Sequence, residues 1–306
     1  MAVHVIDEAN RCLQCKKPMC QQGCPIHTPI PAIIKAMREG RLEEAGKIAF
    51  ENNPMSLVCS LVCNHERQCE GHCVLGRKGQ PIHVSSIENY ISDTCFERID
   101  VHCAPKNGKK VAVIGAGPAG ITIAILLTKK GYSVTIFDSR DKIGGVLQYG
   151  IPEFRLPKAI VQNEVDKLTA LGVDLETDMV IGKTFDIDEM FEEGYEAVFI
   201  GSGAGLPMFM GIEGETLAGV YSANEYLTRS NLMKAFRDDY DTPIYLGKKV
   251  AVVGGGNVAM DAARTALRLG AKVHVVYRRS ETELPARVEE VHHAKEEGII
   301  FNLLTN

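Results

Sequence analysis

Two stretches of the chain repeat each other, and this repeat limits the possible folds more than any other feature. The segment KKVAVIGAGPAGITIAILLTKKGYSVTIFDSR at 109–140 aligns without a gap with KKVAVVGGGNVAMDAARTALRLGAKVHVVYRR at 248–279. Each copy has the pattern of a buried strand, a glycine turn, an amphipathic helix, a glycine and a second strand, which predicts the βαβ unit of a dinucleotide-binding, Rossmann-like α/β fold. Two such units indicate two nucleotide sites.

The glycine turn of the first copy has the spacing and the context of a phosphate-binding turn. Gly115, Gly117 and Gly120 directly follow the strand pattern at 111–114, and Asp138 ends the second strand. Glycines let backbone N–H groups approach a pyrophosphate, and an acid at this distance hydrogen-bonds a ribose hydroxyl. A tight strand-to-helix turn without a ligand is the alternative, but strand, turn, helix and acid together favour a nucleotide site.

The second copy differs at the position that would contact the ribose. Its turn consists of Gly254, Gly256 and Ala259. A tyrosine matches the acid of the first copy, and Arg278 and Arg279 follow it. An acid would repel a 2′-phosphate, whereas arginines can pair with it, so the second site is predicted to prefer NADP over NAD. Arg287 is a further candidate for this contact, and solvated surface arginines are the alternative.

Composition narrows the role of the cysteines. All ten lie at or before residue 103, and the net charge is -5 with a pI near 6.0. That acidic balance argues against nucleic acid as the main partner. No apolar run is long enough to span a membrane and no secretory signal is visible, so we expect a cytoplasmic protein. Reducing conditions there disfavour disulfides and leave metal binding or redox chemistry.

The cysteines form two blocks with different spacing. The first is C-x2-C-x4-C-x3-C-P at 12–25, and the second is C-x3-C-x5-C-x3-C at 59–73. Structural zinc sites usually bring two C-x2-C pairs or paired histidines, and only one C-x2-C occurs here. In two-cluster ferredoxins the cysteine before proline ligates the other cluster, which Cys24-Pro25 resembles. Iron–sulfur clusters are favoured, and a Cys/His zinc module that uses His65 and His72 is the alternative.

A linker separates the two chemically different parts of the chain. The Pro/Gly/Lys-rich APKNGKK at 104–110 divides a mostly helical region from the glycine-rich part. A helical pattern with one glycine interruption covers 30–52, and serines are expected to cap a second helix at 85–99. We therefore predict a helical domain at 1–105, the first part of a first nucleotide domain at 106–245 and an incomplete second nucleotide domain at 246–306.

Five motifs in this order carry a family resemblance that covers essentially the whole chain. They are the cysteine blocks, GAGPAG, GGVLQYGIPEFRLPK at 144–158, GGGNVAMD at 254–261 and VVYRRSETELPAR at 275–287. The chain resembles the small, NADPH-oxidising subunit of bacterial glutamate synthase. It is also similar to the large subunit of ferredoxin-dependent NADPH oxidoreductases and to the N-terminal half of dihydropyrimidine dehydrogenase.

The resemblance implies two [4Fe–4S] clusters with crossed ligand sets. One set is Cys12, Cys15, Cys20 and Cys73, and the other is Cys24, Cys63, Cys69 and a non-cysteine ligand at Glu88. Spacing alone would instead give each block its own cluster. An exposed helical glutamate is the alternative for Glu88, and Cys59, Cys95 and Cys103 are expected to be unligated.

The same resemblance assigns FAD to the first nucleotide site and NADP(H) to the second. Gly144 and Gly145 would pass close to the FAD phosphates and ribose, and the segment that ends at Arg155 would approach the flavin. Asn257, within GGGNVAMD, belongs to the expected NADP contacts. An irregular glycine loop is the alternative for the first of these segments.

The implied function is electron input. NADPH gives a hydride, a flavin can release the two electrons singly, and iron–sulfur clusters pass one at a time. No acid–base residue or nucleophile is required, so no catalytic side chain is predicted. The expected partner is an electron-accepting subunit, either like the glutamate synthase large subunit or of ferredoxin type.

Two other functions stay open from the sequence. One is a ferredoxin–NADP or sulfur-reducing oxidoreductase subunit of the same superfamily. The other belongs to a different class, a non-catalytic, metal-stabilised module that senses nucleotides. Because the chain stops soon after the second repeat, we also expect a fragment of a longer polypeptide, in which FAD retention is reduced.

Overall fold

A computed structural model describes residues 4–305, and its N-terminal part is a small bundle of short helices. These helices are α1 (Val5–Asn10), α2 (Met19–Gly23), α3 (Ile30–Arg38), α4 (Leu42–Asn52), α5 (Ser56–Val62) and α6 (Val84–Cys95). Short 3-10 helices lie at His65–Arg67, Val74–Arg77 and Phe96–Arg98. Their core is aliphatic and includes the fully buried Ile34, Ile87 and Ile91. A helical N-terminal region is therefore confirmed.

The glycine interruption expected within 30–52 ends one helix and separates it from the next. Gly40 has φ of +76° and lies between α3 and α4. A glycine adopts this left-handed conformation without a Cβ clash, which is the usual way to end a helix.

The prediction that serines cap the helix at 85–99 is wrong. Helix α6 begins one residue earlier, at Val84, and Ser85 lies inside its first turn. The backbone N–H and the hydroxyl of Ser85 both donate to Oε1 of Glu70, at 2.8 and 2.7 Å. A carboxylate from a distant segment thus satisfies a helix-end donor that a local cap would otherwise satisfy.

The remainder of the chain alternates strands and helices. In order the elements are β1 (Lys110–Ile114), α7 (Pro118–Lys129), β2 (Ser133–Phe137), α8 (Val146–Tyr149), α9 (Lys158–Ala170), β3 (Asp174–Glu176), α10 (Ile187–Glu192), β4 (Tyr195–Ile200), α11 (Ala223–Asn231), β5 (Lys249–Val253), α12 (Asn257–Arg268), β6 (Lys272–Tyr277), α13 (Val288–Glu296) and β7 (Ile300–Leu303). Two parallel sheets result, with strand orders β3-β2-β1-β4 and β5-β6-β7. Both copies of the repeat fold as the predicted βαβ unit.

The described chain divides into two compact units. The first contains the residues up to Asp141 together with Ala159–Gly201, and the second contains Lys142–Lys158 together with the chain from Ser202 onward. The helical bundle and the first sheet thus belong to the first unit, and the segment GGVLQYGIPEFRLPK at 144–158 belongs to the second unit together with the second sheet. None of the helices within residues 4–305 is long and apolar enough to cross a membrane.

Candidate functional site

The three glycines of the first turn have three different surroundings. Gly115 has φ of +100°, a conformation that side chains rarely adopt. A Cβ at Gly120 would lie 1.9 Å from the carbonyl oxygen of Gly115, so only glycine lets α7 approach β1 this closely. Gly117 has ordinary backbone angles, and a Cβ there would meet no protein atom within 4 Å. A side chain at Gly117 would therefore fill only the open space beside the helix end.

The start of α7 is suited to bind an anion. Its N-cap is Gly117, and no side chain caps the helix, so the first N–H groups have no side-chain acceptor. These donors and the positive end of the helix dipole favour a negatively charged ligand. With the open space at Gly117, the residues present fit the pyrophosphate of a dinucleotide.

Asp138 lies at the end of β2 and holds the glycine turn in place. Its Oδ2 accepts a hydrogen bond from the N–H of Ala116 at 2.7 Å, and its Oδ1 accepts one from the N–H of Arg140 at 2.9 Å. Each carboxylate oxygen has a second lone pair, so these bonds do not exhaust its acceptors. The predicted contact between Asp138 and a ribose hydroxyl stays a prediction, and the structure adds a structural role that sequence reasoning missed.

The second turn repeats the geometry of the first. Gly254 has φ of +137°. Gly256 is the N-cap of α12, and a Cβ at this position would meet no protein atom within 4 Å. The Cβ of Ala259 lies 3.7 Å from the position that a Cβ would take at Gly254, an ordinary contact. No side chain caps α12. This turn also fits a pyrophosphate.

Asn257 faces a neighbouring loop. Its side-chain oxygen accepts a hydrogen bond from the backbone N–H of Arg287 at 2.8 Å, and Ala286 N donates to Gly255 O at 3.1 Å. The loop before α13 is thereby fixed to the glycine turn. The expected contact between Asn257 and NADP stays a prediction.

The three arginines proposed for the second site have different surroundings. Arg278 and Arg279 are exposed just after β6, and neither guanidinium forms an ion pair with the described residues. Arg287 is buried and pairs with Glu289 at 2.5 Å. Arg278 and Arg279 can therefore reach a phosphate without first breaking an ion pair. The contact of Arg287 with NADP stays a prediction.

Four thiols from two distant segments open on one apolar cavity. They are Cys12, Cys15, Cys20 and Cys73. Gln14, between the first two, has φ of +50°, a conformation uncommon outside glycine that turns this short loop. Burial, aided by the charges of the other three thiols, raises the pKa of Cys20 to about 11. This is the set that the family resemblance implies for one cluster.

The other set also comes together around Glu88. Cys63 and Cys69 lie close enough to each other and to Glu88 for their charges to interact, and Cys24 lies close enough to Cys69. Glu88 is half-buried on α6, so it is not an exposed helical residue. Its burial, together with Cys59 and Glu70, raises its pKa to about 8. Carboxyl and thiol donors fit an iron–sulfur cluster. The crossed ligand sets stay a prediction.

The remaining cysteines occupy different positions. Cys59 is hydrogen-bonded to Cys63, Cys95 is buried against the carbonyl of Leu42, and Cys103 is half-buried. Among residues 4–305, no group of three or more His, Cys, Asp or Glu side chains has the geometry to hold a single metal ion.

The segment 144–158 lies in the second unit and is anchored by buried charges. Gly144 and Gly145 both have positive φ, at 126° and 52°. The guanidinium of Arg155, only 6% exposed, pairs with Asp261 at 2.7 Å and with Glu290 at 2.9 Å. The predicted contact between Arg155 and FAD stays a prediction, and these two carboxylates hold its guanidinium in the buried network.

Sequence reasoning missed this buried network. Arg264 on α12 joins it by pairing with Glu290 at 2.8 Å and with Glu297 at 2.8 Å. Burial raises the pKa of Asp261 to about 6, although Arg155 acts in the opposite direction. Asp261 and Arg155 do stand in two of the quoted motifs, but their distance along the chain gave no signal of a contact.

Comparison with known proteins places these sites in a family. Residues 109–306 match the family described as pyridine nucleotide-disulphide oxidoreductase. The chain belongs to the pyridine nucleotide-disulphide oxidoreductase family. Residues 2–99 of this oxidoreductase match a second family, described as dihydropyrimidine dehydrogenase domain II, 4Fe-4S cluster. The iron–sulfur reading of the helical region is thereby confirmed over a zinc module.

Two relatives match nearly the whole of this chain. The oxidoreductase is 39% identical over 301 residues to the glutamate synthase [NADPH] small chain of Escherichia coli, with 96% of this chain and 64% of that protein covered. It is 37% identical over 314 residues to the NADP(+)-dependent formate dehydrogenase subunit beta of Moorella thermoacetica, covering 94% and 43%. The chain thus spans less than two thirds of the length of these relatives.

A solved structure supports the fold. FprA from Mycobacterium tuberculosis in complex with NADPH matches with a TM-score of 0.53 and 22% identity, over 64% of this chain and 48% of that chain. The nucleotide-binding architecture predicted from the repeat is therefore confirmed.

Proposed function

We propose that this oxidoreductase takes electrons from NADPH and passes them singly to a partner protein. The proposal rests on the two glycine turns, which have similar geometry but are accompanied by side chains of opposite charge. The first ends its second strand with Asp138, and the second ends with the exposed Arg278 and Arg279. An acid suits the ribose of FAD and free arginines suit the 2′-phosphate of NADP, so one chain provides for both cofactors.

The residues of the chain bind and orient, and none is proposed to act as an acid, base or nucleophile. NADPH supplies a hydride, a flavin converts the electron pair to single electrons, and iron–sulfur clusters carry them one at a time. The starts of α7 and α12 hold the two pyrophosphates through backbone N–H groups. Asp138 keeps the first turn in shape while its remaining lone pairs bind the ribose.

Two clusters, each with its own set of ligands, complete the proposal. The first would use the four thiols of the apolar cavity, and the second would use the three thiols around Glu88. Grouping of these side chains in the fold supports the sets. Cys59 remains outside both, although it touches Cys63.

The partner and the compartment are proposed in the same way. The two relatives are named as a small chain and a subunit, which supports assembly with at least one other protein. We propose an electron-accepting subunit like that of glutamate synthase, with a ferredoxin-type or sulfur-reducing system as the second candidate. We also propose a cytoplasmic location, where reducing conditions keep clustered thiols available to hold iron–sulfur clusters.

Anaerobic purification and metal analysis test the cluster proposal. We expect brown protein with about eight iron and eight acid-labile sulfide per chain. Stoichiometric zinc without sulfide would contradict it. Titration with each nucleotide then tests the two sites, with FAD expected at one and a preference for NADPH over NADH at the other.

A dye-reduction assay separates an enzyme from a nucleotide sensor. With FAD supplied, a version extended to the length of the relatives should reduce ferricyanide with NADPH, because such acceptors need no dedicated pocket. Glutamate should not form from glutamine and 2-oxoglutarate until a partner subunit is added. Cofactor binding without any dye reduction would instead support the non-catalytic module.

A further inference from the structure

The two segments that supply the thiols of the apolar cavity have a charge opposite to that of the whole chain. Residues 11–25 and 71–83 contain five basic residues and no Asp or Glu, whereas the chain carries -5 overall. These basic residues are Arg11, Lys16, Lys17, Arg77 and Lys78. Such a local reversal of sign creates a positive patch on an acidic protein.

Most of these charges are not used within the fold. Arg11 pairs with Glu8 at 2.7 Å and donates to the carbonyl of Gln80 at 2.6 Å. The four others are exposed and form no ion pair with the described residues. We define Lys16, Lys17, Arg77 and Lys78 as the basic rim.

The basic rim lies beside the cavity by chain connection. Lys16 and Lys17 directly follow Cys15, which lines the cavity. Arg77 ends the 3-10 helix whose first two residues, Val74 and Leu75, also line it. Leu13, another lining residue, is 62% exposed, so an apolar side chain reaches solvent at the same place.

The second thiol group shares the basic segment 11–25 only through Cys24, and its other thiols have acidic neighbours. The stretch 63–70 carries Glu66 and Glu70 against a single Arg67, and Cys69 is buried. A docking surface therefore has more support at the first group than at the second.

We propose that the basic rim, together with Leu13, is the docking surface for an acidic protein that accepts one electron at a time. This inference rests on the proposed function and specifies the chemistry of its partner. An apolar contact within a ring of one charge sign is typical of electron-transfer interfaces, which are small and depend on electrostatic steering. A cluster held in the cavity would be oxidised by one electron, and the acceptor would be reduced by the same electron. No bond is formed or broken.

Calorimetry with the cluster-loaded chain tests the surface without any turnover. The probe is a small acidic [2Fe–2S] ferredoxin in its oxidised form, and basic cytochrome c is the opposite-charge control. We expect the ferredoxin to bind and its affinity to fall about 10-fold or more as salt is raised from low to high ionic strength, since exposed charges are screened. Cytochrome c is not expected to bind.

Charge reversal of the basic rim locates the surface. The variants Lys16→Glu/Lys17→Glu and Arg77→Glu/Lys78→Glu should each weaken ferredoxin binding about 5- to 30-fold. The matched control Lys47→Glu/Lys183→Glu changes net charge equally at exposed residues that do not line the cavity, and it should bind as the parent does. Iron content should be the same in all four proteins.

Three binding results and one redox result would overturn the inference. The binding results are salt-independent binding, equal losses in the rim and control variants, and no ferredoxin binding by a chain that holds its clusters. A shift in cluster midpoint potential with unchanged affinity would also contradict it, because the rim would then serve the cluster itself. A chain that takes up no cluster at all would count against the proposed function instead.

Discussion

At the scale of single residues, the two exposed arginines after β6 give the sharpest prediction. Arg278→Ala/Arg279→Ala should weaken NADPH binding about 10- to 100-fold, because charge-assisted bonds to the 2′-phosphate are lost. NADH binding should change little, since it lacks that phosphate. Fluorescence or calorimetric titration with both nucleotides measures the ratio. Equal losses for the two would indicate that the arginines support the fold.

Substitutions at Glu88 and Cys59 are expected to have opposite effects on the iron content. Glu88→Ala should lower the iron content towards about four per chain and change one set of EPR signals, because a proposed ligand is removed. Cys59→Ser should keep about eight iron. Anaerobic iron assays and EPR spectra of both variants make the comparison. An unaltered spectrum for Glu88→Ala would remove Glu88 from the ligand set.

At the scale of elements, the glycine turns separate packing from ligand binding. Gly120→Ala places a methyl group against the carbonyl of Gly115, so it should destabilise the fold by about 1–3 kcal/mol or more and lower the melting temperature. Gly117→Ala meets only open space, so it should melt like the parent but bind FAD about 5- to 100-fold more weakly.

The second copy supplies the control for this experiment. Gly256 has the same open surroundings as Gly117, so Gly256→Ala should weaken NADPH and leave FAD unchanged. Thermal melts and titrations with each cofactor give all the comparisons. A loss of stability in Gly117→Ala as large as that in Gly120→Ala would contradict the assignment of that space to a ligand.

The sequence predicted those elements whose determinants are local. Both βαβ units follow from glycine spacing and strand patterns within 32 residues, and β1 begins one residue before the predicted strand at 111–114. The end of α3, two residues before Gly40, was indicated by that single glycine. In contrast, the cap that Glu70 gives to α6 and the pairing of Arg155 with Asp261 depend on residues far apart in the chain, which no local pattern encodes.

The candidate sites show the same division. The phosphate turns and the exposed arginines were predicted from their own segments. Spacing alone favours one thiol group per cysteine block. Only the family resemblance predicted that Cys24 joins the thiols of the second block and that Cys73 joins those of the first. The basic rim became visible only when the structure showed which thiols share a cavity.

At the scale of the whole molecule, the packing of α9 against the helical bundle gives a pH prediction. Glu164 on α9 is 0% exposed, and Lys167 on the same helix lies 3.6 Å from the ring centre of Phe96 and 4.7 Å from that of Phe50. Burial raises the pKa of Glu164 from 4.5 to about 7, with Lys167 acting in the opposite direction. The folded state therefore holds this proton more tightly than the unfolded state.

The sign follows from proton linkage. Between pH 4.5 and about 7 the folded state binds more protons at Glu164, so its contribution to the free energy of unfolding falls as pH rises. Glu164→Gln should remove that decrease and stabilise the chain by about 1–3 kcal/mol at pH 8, with little effect at pH 4.5. Urea unfolding of the parent and the variant across this range measures the difference.

Asp166→Asn is the matched control, since Asp166 is exposed on the same helix. It should leave the pH dependence of the parent intact. A Glu164→Gln variant whose stability runs parallel to that of the parent at every pH would contradict the prediction.

The interleaving of the two thiol groups also has a consequence for biogenesis. The first group draws three members from the first block and waits for Cys73, while the second begins at Cys24 and waits for Glu88. During synthesis neither group is complete when the first block leaves the ribosome. With the ligand sets proposed above, cluster delivery would follow the emergence of nearly the whole helical region, and the cavity group would be complete before the group around Glu88.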